Sequence, residues 1–207
     1  MSNASSRGPR RPLRPGRRPR VILLALSLPL FTCEARVGAA EGELVPIGLQ
    51  VQLLAKVAAY DRKLPERAGG RVRLMVVSRV GNLESERAVA QLHATLAATP
   101  SIGGFPHDDL DVKFGSAEAL AATCRSERVS ILYFTPGFKD DLPAIRAALD
   151  GVSVLSVSTV GSYVPSGIVL GFDLVSGKPK LLFNLTQAKR QNVAMSPEVI
   201  RLSRVYE

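Results

Sequence analysis

Tryptophan is absent from this 207-residue chain, and cysteine occurs only twice, at Cys33 and Cys124. So few cysteines exclude the dense disulfide framework on which many small secreted domains depend. If the chain is cleaved after Ala39, Cys124 alone remains, and no intramolecular disulfide can form. Because Cys124 follows Leu120 and Ala121 at helical spacing, we expect a buried thiol that packs as a small apolar group.

The sequence also lacks the glycine patterns that bind nucleotide phosphates. After the first apolar run of residues 41–207 it reads Val77-Ser-Arg-Val-Gly-Asn82, without Gly-x-Gly-x-x-Gly, and it has no Gly-Lys-Ser/Thr phosphate loop. Without those glycines, backbone amides do not wrap a phosphate closely, which disfavours a nucleotide-dependent enzyme. No Gly-x-Ser-x-Gly elbow is present either, which disfavours a hydrolase of that type.

Positive charge is concentrated at one end of the chain, whose formal net charge is +9. Of the 27 basic and 18 acidic residues, residues 1–40 hold eight and one, which leaves 19 and 17 for residues 41–207. The longer part is therefore nearly neutral, and it shows no basic stripe with interleaved aromatic residues. This distribution argues against a nucleic-acid partner.

Residues 1–40 have the order of a bacterial export signal. An Arg/Pro-rich segment precedes the apolar run Val21–Phe31, which is too short to cross a bilayer as a helix. Small residues follow, and we expect cleavage near Ala39 or Ala40. The predicted location of the mature protein is the periplasm.

Three alternatives remain open for this N-terminal segment. Cys33 follows the apolar run and could carry a lipid anchor, although the preceding Thr32 departs from the small residues of lipoprotein signals. Arg17-Arg18 suggests a twin-arginine signal, but the usual hydrophobic residues do not follow directly. A disordered basic tail is the third alternative.

Apolar patterns in residues 41–207 predict a single domain in which helices and strands alternate. The predicted helices are Leu44–Tyr60, Leu83–Ala98, one capped by Ser116, one capped by Asp140 or Asp141, and one that begins at Ser196-Pro197. The predicted strands are Val72–Ser78, Asp111–Phe114, Val129–Thr135, Val152–Val157, Ile168–Leu174 and Lys180–Leu185. Residues 62–70 and the basic polar segment after Leu185 are expected to be irregular connections.

This alternation predicts an α/β fold with three layers, a mostly parallel sheet with helices on both faces. Gly177 turns the chain between the last two strands, which predicts a C-terminal β-hairpin. The closing helix offers Val199, Ile200, Leu202 and Val205 for burial against the sheet. We expect Ser196 to cap its first turn.

Two histidine-containing segments are weak candidates for chemistry. His107-Asp-Asp-Leu-Asp111 holds one imidazole and three carboxylates, but all lie in one segment, and we interpret it as a solvated acidic loop rather than a metal site. His93, beside Leu92 on a predicted helix, is interpreted as an ordinary packed or surface residue. The sequence therefore predicts no catalytic residue, cofactor or metal.

The loop Ser158–Gly167 follows a predicted parallel strand, where open α/β sheets place ligand crevices. Tyr163, Val164 and Pro165 are its apolar residues, and they are our candidates for contacting a partner or ligand. A loop that simply packs against its own protein is the alternative.

The end of the chain carries a recognisable order of residues. A strand Lys180–Asn184 ends in Asn184, a polar connection holds the small Ala188, and Ser196 begins a helix with apolar Leu202. This order and its spacing resemble the C-terminal signature of the YfiR-like family of bacterial periplasmic regulators. The Trp-Pro pair that usually follows the first helix in that family has no counterpart here.

The resemblance implies an exported, non-enzymatic protein that regulates by binding. Periplasmic repressors of this kind contact the sensor domain of a membrane-bound signalling protein such as a diguanylate cyclase, so a periplasmic domain of that type is the expected partner. A homodimer is a further expectation. The alternative function is a periplasmic small-ligand sensor or carrier that uses the Ser158–Gly167 crevice, and a secreted hydrolase is less favoured.

Export predicts a defined mature N-terminus. We expect mass spectrometry of the periplasmic protein to find Ala40 or Glu41 as its first residue, because cleavage is expected after Ala39 or Ala40. A diacylglyceryl group on Cys33 would indicate an anchored protein instead. An intact Met1 on cytoplasmic protein would contradict export.

Overall fold

Residues 45–207 are described here from a computed structural model of the protein. The expected export signal at 1–40, its cleavage near Ala39 or Ala40 and the alternative lipid site at Cys33 lie outside the described residues. Leu44, the first residue of the predicted N-terminal helix, lies outside them as well.

Helices and strands alternate along most of the described chain. The helices are α1 (Ile47–Val57), α2 (Leu64–Ala68), α3 (Leu83–Ala97), α4 (Ala117–Ser126), α5 (Leu142–Ala148), α6 (Leu185–Arg190) and α7 (Pro197–Leu202). The strands are β1 (Val72–Ser78), β2 (His107–Lys113), β3 (Ile131–Phe134), β4 (Leu155–Ser158), β5 (Leu170–Val175), β6 (Lys178–Asn184) and β7 (Arg204–Tyr206). Short 3-10 turns at Ala58–Tyr60 and Gly161–Tyr163 complete the regular structure between residues 45 and 207.

The strands form one sheet of seven in the order β2-β1-β3-β4-β5-β6-β7. Neighbours from β2 to β5 are parallel, whereas β5 and β6 form an antiparallel hairpin and β7 pairs parallel to β6. The predicted mostly parallel sheet and its C-terminal hairpin are confirmed. β7 was not predicted, because its three residues lie where the sequence pattern favoured a continued helix.

Helices cover both faces of the sheet, which confirms the predicted three layers. Leu74 and Val76 of β1 pack in an apolar cluster with α1 and α3. Met75 and Val77 point to the other face and pack in a second cluster with α4 and α5. This separation follows from the period of two in a strand, which sends successive side chains to opposite faces.

The helix starts follow the predicted capping pattern only in part. Ser116 caps α4 as predicted, because its hydroxyl accepts a bond from the Ala119 amide at 3.2 Å. Asp141 directly precedes α5, with proline in the first turn, but its side chain makes no capping bond to the helix. The capping prediction for this residue is wrong because the Asp141 carboxylate pairs with the Arg79 guanidinium.

Two short helices replace connections that were predicted to be irregular. Residues 64–68 form α2, and Pro65 sits in the first turn, where its missing N–H has no helical partner to lose. α6 begins after Asn184, whose side chain accepts a bond from the Gln187 amide at 2.8 Å. The prediction of irregular connections is wrong because these helices have only five and six residues, and a favourable first turn is enough to form them without a longer apolar pattern.

The acidic stretch at 107–111 belongs to β2 and is not a loop. Every residue of β2 is opposite a residue of β1, from His107 beside Val72 to Lys113 beside Ser78. Leu110 packs toward the α4 side of the sheet. The loop prediction is wrong because pairing with β1 supplies hydrogen bonds that a charged sequence does not reveal.

The predicted packing of the closing helix is correct for Val199 and in part for Ile200, which packs against the core cluster, and it is wrong for Leu202 and Val205. Val199 is buried, but Leu202 is 67% exposed and Val205 is 38% exposed. The helix ends at Leu202, because Ser203 is extended and leads into β7. Helical spacing therefore no longer applies beyond this point, and Leu202 faces outward instead of toward the sheet.

Ser196 precedes α7 as predicted, but it does not cap the helix as expected. Its side chain accepts no bond from an amide of α7. Its backbone amide donates to the Tyr60 carbonyl at 2.9 Å, which ties the residue to the 3-10 turn after α1. The predicted capping bond is wrong because this contact leaves the hydroxyl buried and away from the helix amides.

A buried ion pair connects three distant parts of the chain. Asp61 and Arg67 pair with side chains that are 0% and 4% exposed. One oxygen of Asp61 accepts bonds from the Lys63 amide at 3.0 Å and the Ala194 amide at 2.9 Å. The Nε of Arg67 donates to the Ser130 carbonyl at 3.0 Å. The pair thus joins the α1–α2 corner, the start of β3 and the connection between α6 and α7.

Asp61→Asn tests this connection. Removing one charge leaves the buried guanidinium of Arg67 without its counter-ion, and we expect the free energy of unfolding to fall by about 3–5 kcal/mol in urea denaturation. The matched control is Asp108→Asn, which removes the half-exposed partner of Arg71 and should cost at most about 1 kcal/mol. Equal effects of the two substitutions would contradict the role given to Asp61.

Candidate functional site

The carboxyl ends of β1 and β3 form the point at which the sheet changes direction. The chain runs from β1 outward to β2, then returns past β1 to β3 and continues to β4 and β5. Open α/β sheets bind ligands in the crevice at such a point. The loop Ser158–Gly167 begins at the carboxyl end of β4, on the same edge of the sheet.

Arg79, the first residue after β1, occupies the crevice. Its Nε donates to the Gly137 carbonyl at 3.0 Å, and its terminal nitrogen pairs with the carboxylate of Asp141. The guanidinium carbon lies 5.2 and 5.0 Å from the ring centres of Phe114 and Phe138. Cation–π contact and the ion pair therefore hold one side chain across the ends of β1, β2 and β3.

The Tyr163 hydroxyl binds two backbone amides in the turn after β3, so these amides are not available to a ligand. Its hydroxyl oxygen accepts bonds from the amides of Gly137 and Phe138 at 3.0 and 2.9 Å. Gly137 has a φ of +100°, and a Cβ there would lie 2.9 Å from the Asn82 side-chain nitrogen. The absence of a side chain at Gly137 thus lets the neighbouring side chains pack closely against the turn after β3. The Gly137 and Phe138 amides of this turn already donate to Tyr163.

Two buried hydroxyl groups form a hydrogen-bond network with the backbone of Arg79 and Val77. The Arg79 amide donates to Ser85 at 2.8 Å, the Ser85 and Thr135 hydroxyls are 2.6 Å apart, and Thr135 donates to the Val77 carbonyl at 2.7 Å. Ser85 and Thr135 are both fully buried. Each hydroxyl therefore supports the fold, and neither is free to act as a nucleophile.

The structure places the three candidate loop residues differently from one another. Tyr163 is 5% exposed and Val164 is 0% exposed, whereas Pro165 faces solvent. The expectation that Tyr163 and Val164 present apolar surface to a partner is wrong, because the loop folds into a 3-10 turn and packs inward. A binding role for this loop stays a prediction, and among these three residues only Pro165 offers it an exposed side chain.

Asn184 links the closing unit to this loop. Its side-chain oxygen caps α6, and its side-chain nitrogen donates to the Val164 carbonyl at 2.9 Å. Ala188, one turn further along α6, is 1% exposed in the cluster beside α1. These two residues of the recognised signature therefore have architectural roles, as their residue types suggest.

Two exposed apolar side chains that the sequence pattern did not predict lie beside the filled crevice. Val80 and Leu83 are each 67% exposed and bracket the turn between β1 and α3. The exposure of Leu83 could have been predicted from the sequence, because Leu83 lies out of phase with the buried stripe that continues through Leu92 and Leu96. The carboxyl edge therefore offers an apolar surface rather than an empty cavity.

Neither histidine belongs to a catalytic arrangement in the described part of the chain. His93 binds the Asp111 carboxylate at 2.6 Å, and His107 binds Asp109 at 2.8 Å and the Thr99 carbonyl at 2.9 Å. Between residues 45 and 207 neither ring is bonded to a serine hydroxyl. The same residues hold no cluster of three or more His, Cys, Asp or Glu side chains with metal-binding geometry.

None of the helices in residues 45–207 has the length and apolar character needed to cross a membrane.

Comparison with protein families gives one match over most of the chain. The sequence pattern described as YfiR/HmsC-like matches residues 49–204, from α1 to β7. A search of curated proteins finds no match.

Two solved structures with a similar fold come from bacteria. A conserved domain protein of Vibrio cholerae O1 biovar El Tor is 12% identical, with a TM-score of 0.54, over 80% of this chain and 61% of that one. The ABC domain of Streptococcus pneumoniae in complex with L-Trp is 10% identical, with a TM-score of 0.54, over 78% of this chain and 62% of that one. This chain matches about three fifths of each, and at these identities the likeness shows the fold alone.

The Tyr163 hydroxyl gives a direct test of the filled crevice. Tyr163→Phe leaves two amides without their acceptor, and we expect a loss of about 1–3 kcal/mol in the free energy of unfolding, measured in urea. Pro165→Ala, two residues along the same loop, is the control and should change stability by less than about 0.5 kcal/mol. A fully stable Tyr163→Phe protein would show that these bonds do not hold the loop.

Proposed function

The chain belongs to the YfiR/HmsC-like family, and we propose from that membership that it is an exported, non-enzymatic regulator that works by binding another protein. The family suggests a periplasmic regulator, in agreement with the export signal expected at residues 1–40. The proposed partner is the periplasmic domain of a membrane signalling protein, for example the sensor domain of a diguanylate cyclase.

The observation that carries this proposal is the filled crevice at the carboxyl edge of the sheet. Tyr163 binds the backbone donors of the turn after β3, and Arg79 binds the Gly137 carbonyl, so a small ligand would find these groups already paired. The part of this edge that remains available for binding is its surface, where Val80 and Leu83 are exposed beside the half-buried Arg79. Exposed apolar side chains grouped around a charged one are typical of protein contact sites.

Gly137 lies between the two halves of this proposed contact surface. Its carbonyl binds Arg79 on one side, and its amide binds Tyr163 on the other. The surface we propose therefore runs from Val80 and Leu83 across this turn toward Pro165. A rigid frame suits recognition, because little conformational entropy remains to be lost when the partner binds.

The other functions considered for the sequence receive less support. A carrier that uses the Ser158–Gly167 crevice would need space that the protein fills with its own side chains. A hydrolase would need a free nucleophile, whereas the Ser85 and Thr135 hydroxyls are bonded to each other and to the backbone.

A charge placed on the proposed surface should abolish binding without affecting folding. The probe is the purified periplasmic sensor domain of a membrane-bound diguanylate cyclase, titrated calorimetrically against the mature protein. We expect the double substitution Val80→Glu, Leu83→Glu to weaken binding by about tenfold or more, because it puts charge into an apolar contact. Melting temperature should stay within about 2 °C, since both side chains are exposed.

Val175→Glu is the matched control, because Val175 is 42% exposed at the tip of the β5–β6 hairpin. It should leave the affinity unchanged. Leu202→Asp provides a second comparison at the exposed end of α7. If Leu202→Asp alone abolishes binding, the closing helix is the contact surface and the carboxyl edge is not. If the unaltered protein does not bind the domain at all, the proposed partner class is wrong.

A further inference from the structure

The opposite edge of the sheet contains a cavity with a different character. It has a volume of about 660 Å³ and lies where β1 and β2 begin, below the residues that lead into β3 and β4. The last residues of α2 and α4 form its sides. Its volume falls within the range of small-molecule sites in proteins, roughly 300–1,000 Å³.

Arginine dominates the charged side chains around this cavity. Its charged lining consists of Arg67, Arg71, Arg73, Arg125, Arg128, Glu66 and Asp108. Five guanidinium groups face two carboxylates in the lining, and two further carboxylates, those of Asp61 and Glu127, pair with lining arginines from outside it. Once the ion pairs of Glu66, Arg67, Arg71 and Arg73 are counted, the unpaired positive charge of the described lining belongs to Arg125 and Arg128.

Three of the five arginines have carboxylate partners. Arg67 belongs to the buried pair with Asp61, Arg71 lies 2.8 Å from Asp108, and Arg73 lies 3.4 Å from Glu127. The latter two pairs are about half exposed, and such pairs are weak enough to open for a better acceptor.

Arg125 and Arg128 differ from the other three. Within residues 45–207 neither has a carboxylate within ion-pair distance, and both are exposed at the rim of the cavity. Their donors are therefore available to an incoming anion.

Arg128 also occupies a backbone position that does not suit arginine. Its φ is +50°, in the left-handed region, directly after the end of α4. The Val129 amide donates to the Cys124 carbonyl at 3.0 Å and the Arg128 amide to the Arg125 carbonyl at 3.4 Å, a helix ending that usually employs glycine. A side chain is disfavoured in this conformation because its Cβ crowds the following carbonyl. The positive charge of Arg128 at the helix C-terminus is favourable and offsets part of that strain.

We propose that this cavity binds a small organic anion that carries phosphate or carboxylate groups, held chiefly by Arg125 and Arg128. A guanidinium presents planar paired donors that match either group in bidentate fashion. Val129 and Val152 line the same cavity and would contact the carbon part of the ligand.

Cys124 is an uncharged residue in the lining of this site. Its side chain is buried, and burial raises the pKa of its thiol to about 12, although the nearby Arg125 acts in the opposite direction. The thiol therefore stays protonated at neutral pH and does not compete with the ligand for the arginines. The site is independent of the protein contact proposed above, because it lies at the amino ends of the strands and Val80 and Leu83 at the carboxyl end.

Inorganic pyrophosphate and citrate serve as the phosphate and carboxylate probes. Each is titrated calorimetrically against the mature protein at low salt, with sodium chloride at equal ionic strength as the reference. We expect saturable binding of at least one probe. Pyrophosphate alone would assign the site to phosphate groups, and citrate alone to carboxylates.

Arg128→Gly separates binding from stability. Glycine suits the left-handed backbone, so this variant should melt at the same temperature as the unaltered protein or higher, yet bind the probe about tenfold or more weakly. Arg125→Gln should weaken binding similarly. Arg87→Gln is the charge-matched control, because Arg87 is exposed on α3 and does not line the cavity, and it should bind normally.

Two results would overturn the proposal. One is the absence of saturable binding of both probes at millimolar concentration. The other is an equal loss of affinity in Arg87→Gln and Arg128→Gly, which would mean that the probes respond to net charge and not to this cavity.

Discussion

The buried carboxylate of Asp61 joins segments that are far apart in the sequence. Two ions are costly to remove from water unless hydrogen bonds use most of their capacity, and here the Asp61 oxygens accept from Lys63, Ala194 and Arg67. Arg67 in turn reaches the Ser130 carbonyl before β3. The start of the sheet, the α1–α2 corner and the entry to α7 therefore depend on one pair. Arg67 also lines the arginine cavity, so the same pair fixes one wall of that site.

Sequence alone predicted the parts of the fold that local pattern determines. Residues 74–77 of β1 and all of β3 are continuous apolar runs, because helices cover both faces of a parallel sheet, and such runs are visible without any knowledge of their partners. Ser116 caps α4 because the bond is formed within four residues. The order of these elements then permits few topologies, since crossovers between parallel strands are right-handed. The C-terminal signature of Asn184, Ala188, Ser196 and Leu202 is equally local, and its resemblance to the YfiR-like family agrees with the family match.

The features that were missed depend on contacts between distant segments. Tyr163 was assigned to the surface because a tyrosine in a loop gives no sign that two amides 25 and 26 residues away will bind its hydroxyl. Leu202 fits a helical stripe, but β7 begins two residues later, and a strand of three residues has no pattern of its own. The arginine cavity is assembled from four segments whose charges are unremarkable when read one by one. The most distinctive residue of this cavity is Arg128, which has a left-handed backbone conformation at a helix end where glycine is usual.

The two outer strands of the sheet carry a consequence for the behaviour of the protein at high concentration. An unpaired edge is a template on which a second polypeptide can add a strand, and fibrils grow when such additions repeat. β2 closes one side with Asp108, Asp109, Asp111 and Lys113, whose charges oppose stacking on a copy of itself. β7 closes the other side with only three residues, too few to hold an added strand firmly. Both borders of the sheet therefore resist open-ended polymerisation, and crowding should leave the folded protein soluble.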